Sequence, residues 1–411
     1  MNEQLVVKNF GPIKDATVDF KRVTVFIGPT GGGKSTLAKL AAMHKGGNLS
    51  ITPDNGIDST KSLSNYGLLN FVNDNSNIAW TTGDNYITVI PEATFKLSTE
   101  DNENLTEKAF VEMLNSIFDK NPDIIDKLSS GFDGDVKKTL LEITRTSARE
   151  AIQNKFKEFM LSTNTAYIPS ERIFVSGLEY SWPGLMRDDI GISKLVLDFA
   201  NRFSLSRKDI LELDIPFLNV KYKHIDGRDF IKIPEREEPL MLLETASGIQ
   251  SVTPLLVLLE HLSRNTEQAQ SFIIEEPELN LYPTAQRDFV YTLLEKCTQG
   301  ENDLTITTHS PYVLSALNLA LYANKVATLF PHQRKKVAKL IPEKYWLKAE
   351  EFSAYFVAKG GAKSIFDTKT GLLSESQLDE VSGEFADVFD RLTDLRVPEK
   401  KAVAKAKPAR K

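Results

Sequence analysis

Cysteine and histidine are scarce in this sequence of 411 residues, which has one cysteine, Cys297, and five histidines that lie far apart. A single thiol excludes a disulfide framework and a multi-thiolate zinc or iron–sulfur site, and the histidine spacing excludes a His-x-x-x-His metal helix. No apolar run approaches the ~20 residues needed to cross a bilayer. The N-terminus has neither the basic start nor the apolar stretch of a signal peptide. We therefore expect a cytoplasmic protein with no membrane contact.

Charge is close to balanced over the whole chain but not along it. The 50 basic and 56 acidic residues give a net charge of −6, yet six of the basic residues and only one of the acidic residues fall within 399–411. We predict that this segment is a disordered basic tail, because it offers almost nothing to bury. The rest of the chain carries −11, which does not favour a broad nucleic-acid-binding face.

Hydrophobic patterning predicts strands in the first part of the chain and two later hairpins. Apolar runs indicate strands at 5–10, 16–20 and 23–27, and β-hairpins over 78–89 and 217–233. Residues 45–66 are rich in Gly, Asn, Ser and Asp, and they predict a surface loop.

Helical patterning dominates two other regions. Residues 104–160 are mainly helical by pattern but hold no heptad register, so a long coiled-coil arm is not expected. Residues 350–398 predict a short hairpin followed by an amphipathic helix. The apolar residues on one side of that predicted helix are Leu378, Val381, Phe385, Val388, Phe389, Leu392 and Leu395.

The most informative stretch is a glycine-rich turn between a predicted strand and a predicted helix, which fits the pattern G-x-x-x-x-G-K-[ST]. Glycines let the backbone curl so that successive N–H groups point at one anion, and the following helix adds its positive end. Lys34 would reach the β- and γ-phosphates of a nucleotide, and the Ser35 hydroxyl would hold Mg²⁺. The alternative is a glycine-rich turn that ends in Lys-Ser by chance. The predicted nucleotide-binding residues are Gly28, Pro29, Thr30, Gly31, Gly32, Gly33, Lys34, Ser35 and Thr36.

Two adjacent carboxylates end a later apolar strand. Glu275 and Glu276 follow Phe272–Ile274, at the edge where open α/β sheets bind ligands. Because side chains alternate along a strand, the two acids need not share one task. We assign Glu275 to Mg²⁺ and Glu276 to polarising the attacking water. The alternative is an exposed acidic turn after a core strand.

Two further features flank these acids in the sequence. Ser247 and Gly248 open an apolar helix, and such a helix end binds anions; it would make sense facing the nucleotide of a neighbouring copy. An ordinary helix N-cap is the alternative. His309 ends another apolar strand and would bond the γ-phosphate, although a lone histidine is more often structural.

Taken in chain order, these residues resemble the ABC-type ATPase heads of the lineage that includes the RecF, SMC and OLD proteins. The similar motifs are Gly28 to Ser35 for Walker A, Ala246 to Gln250 for a degenerate LSGGQ signature, Phe272 to Glu276 for Walker B with its catalytic glutamate, and His309 for the switch histidine. The run from Glu275 to Pro283 resembles compact prokaryotic AAA ATPases of antiphage defence systems, such as the PARIS and Septu types. The resemblance implies an α/β fold with a mixed β-sheet flanked by helices and a mainly helical insertion lobe.

Some positions depart from that family pattern. Glu275 stands where Asp is usual, Ala246 and Ile249 replace the Leu and second Gly of the signature, and no glutamine marks a Q-loop. Arg172 lies in a stretch seen in the compact subgroup, and we expect it either to approach phosphate or the dimer seam or to form a surface salt bridge.

The resemblance also implies a division of the chain. The expected spans are an N-terminal part of the ATPase head at 1–97, an insertion lobe at 98–240, the C-terminal part of the head at 241–345, a hairpin and helix at 346–398, and the tail at 399–411.

The implied chemistry is hydrolysis of ATP with Mg²⁺, by Lys34, Glu276 and His309, with Ser247 and Gly248 supplied in trans in a homodimer or higher oligomer of ATP-bound heads. The function implied is a sensor or scaffold that controls a separate effector, a nuclease, in antiphage defence. The alternatives are a DNA-repair or chromosome-maintenance ATPase that clamps DNA and, less favoured, a transporter motor. Asp133-Gly134-Asp135 imitates a nuclease motif, but its helical context predicts a turn.

Overall fold

The computed structural model describes residues 3–46, 50–52, 56–82, 85–90, 94–96, 164–178, 191–264 and 268–374. Its strands are β1 (Glu3–Phe10), β2 (Ile13–Phe20), β3 (Val23–Ile27), β4 (Ser50–Thr52), β5 (Gly56–Asp58), β6 (Asn77–Thr82), β7 (Asn85–Ile90), β8 (Thr94–Lys96), β9 (Asn164–Ile168), β10 (Glu212–Ile215), β11 (Val220–Ile225), β12 (Arg228–Lys232), β13 (Leu240–Met241), β14 (Gln270–Glu275), β15 (Asp303–Thr308), β16 (Phe352–Ala358), β17 (Gly361–Ser364), β18 (Phe366–Asp367) and β19 (Leu372–Leu373). Its helices are α1 (Lys34–Lys45), α2 (Ser59–Asn65), α3 (Val175–Leu178), α4 (Lys194–Ser206), α5 (Ser247–Arg264), α6 (Pro283–Cys297), α7 (Pro311–Leu329) and α8 (Arg334–Leu340), with short 3₁₀ turns such as Ser170–Phe174 between elements.

Eleven strands form one mixed sheet, in the order β8-β7-β6-β1-β2-β17-β16-β3-β15-β14-β9. The strands β16, β3, β15, β14 and β9 run parallel to one another, whereas β2, β1, β6, β7 and β8 alternate in direction. A second sheet has the order β10-β11-β12-β13. The predicted fold class, an α/β fold with a mixed sheet flanked by helices, is confirmed.

The parallel strands lie between two layers of helix. Every residue of β3, β14 and β15 is buried, as expected for strands covered on both faces. The α1 helix packs on one face through Leu37, Leu40 and Ala41, and α5, α6 and α7 pack on the other. Because these strands are parallel, their carboxyl ends meet at one edge of the sheet, where the predicted site residues lie.

Several predicted elements are confirmed. The strand at 23–27 coincides with β3, the strands at 5–10 and 16–20 fall within β1 and β2, and both hairpins form, as β6–β7 and β11–β12.

The predicted loop at 45–66 is wrong in part, because it contains the β4–β5 hairpin and α2. Leu63 and Tyr66 are buried in the core beside α1. The polar residues around them in the sequence masked the apolar pattern that would have predicted this packing. The predicted helices at 104–160, the Asp133–Asp135 turn, the helix at 378–395 and the tail at 399–411 lie outside the described residues.

Strands from distant parts of the chain complete the main sheet. β9 falls in the span 98–240 and β16–β17 in the span 346–398, yet all three pair within the eleven-stranded sheet. Among the described helices, none alone has the length and hydropathy of a membrane span, although α7 and Pro331–Leu340 meet that measure jointly as a pair bent by 119°.

Candidate functional site

The loop between β3 and α1 is a tight backbone curl that depends on glycine, as Gly28 and Gly33 show. Gly28 and Gly33 have φ values of 152° and 104°, which side-chain-bearing residues rarely adopt. A Cβ on Gly28 would lie 2.2 Å from the carbonyl oxygen of Val357 on β16, and one on Gly33 would lie 2.4 Å from Ile13 Cδ1 on β2. The loop therefore packs closely against the neighbouring strands β16 and β2, and this packing fixes its curled form.

Lys34 is the first residue of α1, and its ammonium group reaches back over the loop. Its Nζ donates hydrogen bonds to the carbonyl oxygens of Gly28 at 2.9 Å and Pro29 at 3.0 Å. Burial lowers the pKa of Lys34, and the negative charge of three nearby glutamates, described below, opposes that shift. Ser35 and Thr36 follow in the same helical turn, half-buried and buried. The loop thus holds a cation opposite a group of carboxylates.

Glu275 is the last residue of β14 and is buried, with 3% of its surface exposed. Its Oε1 atom has no hydrogen-bond partner within the part of the chain that the structure describes. Tyr167 on β9 pairs with Ile273, so its ring lies on the same face of the sheet as Glu275. The pKa of Tyr167 is raised, first by burial and then by the negative charge of Glu275 and a side-chain hydrogen bond with it. A buried carboxylate at this edge of the sheet suits a bound cation.

Glu276 has a backbone conformation that is strained for a residue with a side chain. Its φ is 43°, which costs about 1–3 kcal/mol and is typical of functional sites. Its N–H donates to the carbonyl oxygen of Thr307 at 2.8 Å, and its Oε1 lies 3.4 Å from Nε2 of His309. Burial raises the pKa of Glu276; the nearby His309 lowers it, and Glu278 raises it further.

Glu278 holds the two halves of this edge together, and sequence reasoning gave it no role. Its Oε1 accepts hydrogen bonds from Oγ1 of Thr308 at 2.6 Å and from the N–H of His309 at 2.8 Å. The side chain is buried. It therefore joins the turn after β14 to the end of β15. The signal was present in the sequence, as a third acid directly after Glu-Glu-Pro.

Arg172 is wholly buried, so the expected surface salt bridge is wrong, whereas an approach to phosphate or to the dimer seam stays a prediction. Its Nη1 donates to the carbonyl oxygens of Glu275 at 2.6 Å and Pro169 at 3.2 Å, and its Nη2 donates to that of Glu276 at 2.8 Å. Burial lowers the pKa of Arg172 to about 10 against the attraction of the nearby glutamates. The guanidinium therefore holds the backbone at the two glutamates together with the turn after β9.

The N-terminus of α5 packs against the turn that follows the three glutamates. Ser247 is exposed, whereas Gly248 is buried, and a Cβ on Gly248 would lie 2.7 Å from the carbonyl oxygen of Asn280. Close packing is therefore one reason for glycine here. The Gln250 side chain folds back and donates to the carbonyl oxygen of Thr245 at 2.6 Å, which fixes the turn that leads into the helix.

The strand registers set the spacing of the site. Phe26 of β3 pairs with Thr307 of β15, which pairs with Glu275 of β14. With about 4.8 Å between neighbouring strands, β3 and β14 are about 10 Å apart. The structure thus brings Lys34, Glu275, Glu276 and His309 to one sheet edge and leaves Ser247 exposed at the start of α5.

Comparisons with known proteins identify one matching family and several similar solved structures. A family model described as "AAA ATPase domain" matches residues 1–174 and 62–314. No curated protein matches the chain. Similar solved structures include the Smc head domain of Pyrococcus furiosus bound to the C-terminal domain of ScpA, with 12% identity over 93% of this chain and 98% of that one and a TM-score of 0.37. The SMC head domain of Thermotoga maritima has 12% identity over 89% and 98% of the two chains, with a TM-score of 0.35. Scores this low do not establish a shared fold.

Proposed function

The chain belongs to the family of AAA ATPase domains, and from this premise we propose that it hydrolyses ATP at the carboxyl edge of β3, β15 and β14. The family makes it a nucleotide-binding ATPase; the location and the residue roles are our proposal. One observation carries it: a buried lysine on a glycine curl lies across the sheet edge from two adjacent glutamates, one of which is buried. Phosphoryl transfer needs positioning and charge neutralisation above all.

The β3–α1 loop would bind the phosphates. The backbone N–H groups of Gly28–Gly33 and the positive end of α1 suit an anion, and Lys34 would exchange its bonds to loop carbonyls for bonds to phosphate oxygens. Magnesium in such sites is held by one or two protein oxygens together with substrate phosphates. Ser35 and Glu275 offer oxygen donors of that kind, and Mg²⁺, when bound, would neutralise phosphate charge.

Glu276 would act as the general base that orients and deprotonates the attacking water. A carboxylate with a raised pKa accepts a proton more readily than an ordinary one, and burial raises the pKa of Glu276. His309 lies within 3.4 Å of it, so the histidine would respond to the same developing charge. Arg172 and Glu278 would act as positioning residues, since they hold the backbone around Glu276 and His309.

Two substitutions test the assignment of these roles. Lys34→Ala should abolish nucleotide binding or turnover. Glu276→Gln should keep ATP bound and reduce the hydrolysis rate by at least ~100-fold, since a general base contributes about 10²–10⁴-fold. Both are measured by phosphate release and by retention of labelled ATP. Hydrolysis at the wild-type rate by Glu276→Gln would show that another group activates water.

Ser247 would complete the site of a neighbouring copy. Its exposure at a helix N-terminus supports this role, which makes ATP binding and dimer formation one linked equilibrium. Mixing an inactive Lys34→Ala chain with an inactive Ser247→Arg chain should restore part of the activity, because mixed dimers contain one intact composite site. Ser64→Arg, at an exposed serine of α2, is the control and should be active alone. Mixtures that stay inactive would place Ser247 outside the site.

The cellular role that we propose is control of a separate effector, a nuclease, in antiphage defence. Its support is the resemblance of Glu275–Pro283 to the compact defence ATPases. The test is protection of a bacterial host from phage by this gene with its neighbouring genes, lost in Lys34→Ala. Neighbours that encode no nuclease, or no protection by the wild type, would refute this role and leave the ATPase assignment intact.

A second candidate, an ATPase that clamps DNA, is favoured by one observation: α8 carries four basic residues and no acidic residue, namely Arg334, Lys335, Lys336 and Lys339. DNA affinity that falls steeply with salt, and that weakens in Lys335→Glu, would support this role. The same titration on a chain lacking 399–411 separates the contribution of the tail.

A further inference from the structure

One side of α7 is apolar and faces outward. Tyr312, Leu319, Tyr322 and Leu329, which we call the apolar stripe, are 47 to 61% exposed. Their spacing of seven, three and seven residues places them on one side of the helix. Isolated exposed apolar residues are ordinary, but a contiguous stripe of this kind is typical of an interaction surface.

The segment that carries the apolar stripe has charge of one sign. Residues 311–342, which include all of α7 and α8, contain no Asp or Glu. Their charged side chains are Lys325, Lys335, Lys336, Lys339 and Arg334, of which Arg334 is ion-paired with Glu343. A partner that fits this surface would present an apolar face flanked by carboxylates.

The described chain ends beside the middle of α7. The N–H of Leu373 donates to Oδ1 of Asn318 at 3.0 Å, and Nζ of Lys325 donates to the carbonyl oxygen of Thr370. Both α7 residues lie next to the apolar stripe on the helix. The residues after Ser374 therefore start at this surface.

The sequence that follows has the complementary pattern. Residues 375–398 contain seven acidic and two basic residues, and the apolar residues at 378–395 recur with helical spacing. As a helix, these 18 residues would be about 27 Å long, and the 19 residues of α7 span about 28 Å. Residues 374–377 can extend about 14 Å, enough to begin such a helix near either end of α7.

We propose that residues 378–395 form an amphipathic helix that lies along the apolar stripe of α7, with its acidic side chains toward α8. A second copy or another protein could present similar chemistry. The tethered segment competes from an effective concentration in the millimolar range, and its charge matches that of α8.

Cysteine cross-linking tests the placement within the full chain. The native cysteine is buried, so a thiol reagent would react with the two cysteines introduced in Leu319→Cys with Phe385→Cys. Both positions lie near the middle of their segments, so the test does not depend on the direction in which the second helix runs. A short bifunctional thiol reagent should join the two positions within one chain. Leu205→Cys with Phe385→Cys is the control, because Leu205 is similarly exposed on α4, and it should not react in this way. Cross-links between chains, or none, would overturn the proposal.

Hydrogen exchange gives a second measurement. The amides of 378–395 should be protected in the wild type and in Leu205→Asp, and at least ten-fold less protected in Leu319→Asp. Lys335→Glu with Lys336→Glu should weaken protection, and removal of 399–411 should leave it unchanged. Rapid exchange of 378–395 in the wild type would refute the docking of this segment.

Discussion

Substitution of Arg172 separates a positioning role from a phosphate-binding one. Removing the guanidinium, as in Arg172→Met, leaves the carbonyl oxygens of Pro169, Glu275 and Glu276 without their buried donor. Each unsatisfied buried group costs about 1–3 kcal/mol, so we expect a loss of about 3 kcal/mol or more from the free energy of unfolding. Total stabilities are only about 5–15 kcal/mol, so Arg172→Met should lose a large part of the free energy of unfolding.

Arg172→Lys keeps the positive charge and removes only the planar guanidinium. An ammonium group is a point charge that cannot bridge two carbonyls in the plane of a guanidinium. A shift of about 1 Å in a catalytic group costs about 10²-fold in rate, so we expect kcat to fall by about that factor with KM nearly unchanged. Steady-state ATP hydrolysis is measured at a temperature where urea unfolding shows the variant to be folded.

The control for this prediction is Arg202→Lys. Arg202 forms a partly exposed pair with Asp198 one helical turn away, and such pairs contribute about 0–1 kcal/mol. A folded Arg172→Lys enzyme with kcat within twofold of the wild type would refute the positioning role. A raised KM with unchanged kcat would instead indicate that Arg172 contacts phosphate.

Three further predictions concern other parts of the molecule. Gly28→Ala places a Cβ 2.2 Å from a backbone carbonyl of β16 and should abolish binding of a fluorescent ATP analogue, whereas Gly191→Ala, which meets nothing within 4 Å, should bind normally. Glu278→Gln removes a charge that raises the pKa of Glu276, so the acid limb of the kcat profile should move to lower pH; a shift upward would contradict this account. Burial lowers the pKa of His44 to about 4, so the unfolded chain binds the proton more tightly. Stability should then be complete above pH 6.5 and fall by about 3 kcal/mol as the pH drops toward 4; urea unfolding of His44→Phe should lack this loss.

The sequence alone was enough to predict the parts of the site that depend on local pattern. The glycine turn between β3 and α1 needs particular residues at fixed spacing, and an apolar run ending in two acids predicts a buried strand and its edge. Both patterns lie within about ten residues. The close approach of Val357 to Gly28 was not predictable, because it joins segments more than 300 residues apart in the chain.

Arg172 shows why the rest could not be predicted. It lies 103 residues before Glu275, and nothing in its neighbourhood distinguishes an arginine bound to buried carbonyls from one on the surface. Charged residues are rarely buried, so the ordinary expectation favoured exposure. Only the pairing of β9 with β14 brings the turn after β9 beneath the two glutamates.

Phosphate binding and water activation depend on different structural contacts. The phosphate-binding loop is shaped by β2 and β16, through Ile13 and Val357. The strained backbone at Glu276 is held by Thr307 and Arg172, and such strain persists only where the surroundings enforce it. Because these two sets of contacts share no side chain, substitutions that loosen the first should raise KM, and substitutions that loosen the second should lower kcat. A double substitution across the two sets should therefore have additive effects in free energy, as expected for sites without shared partners.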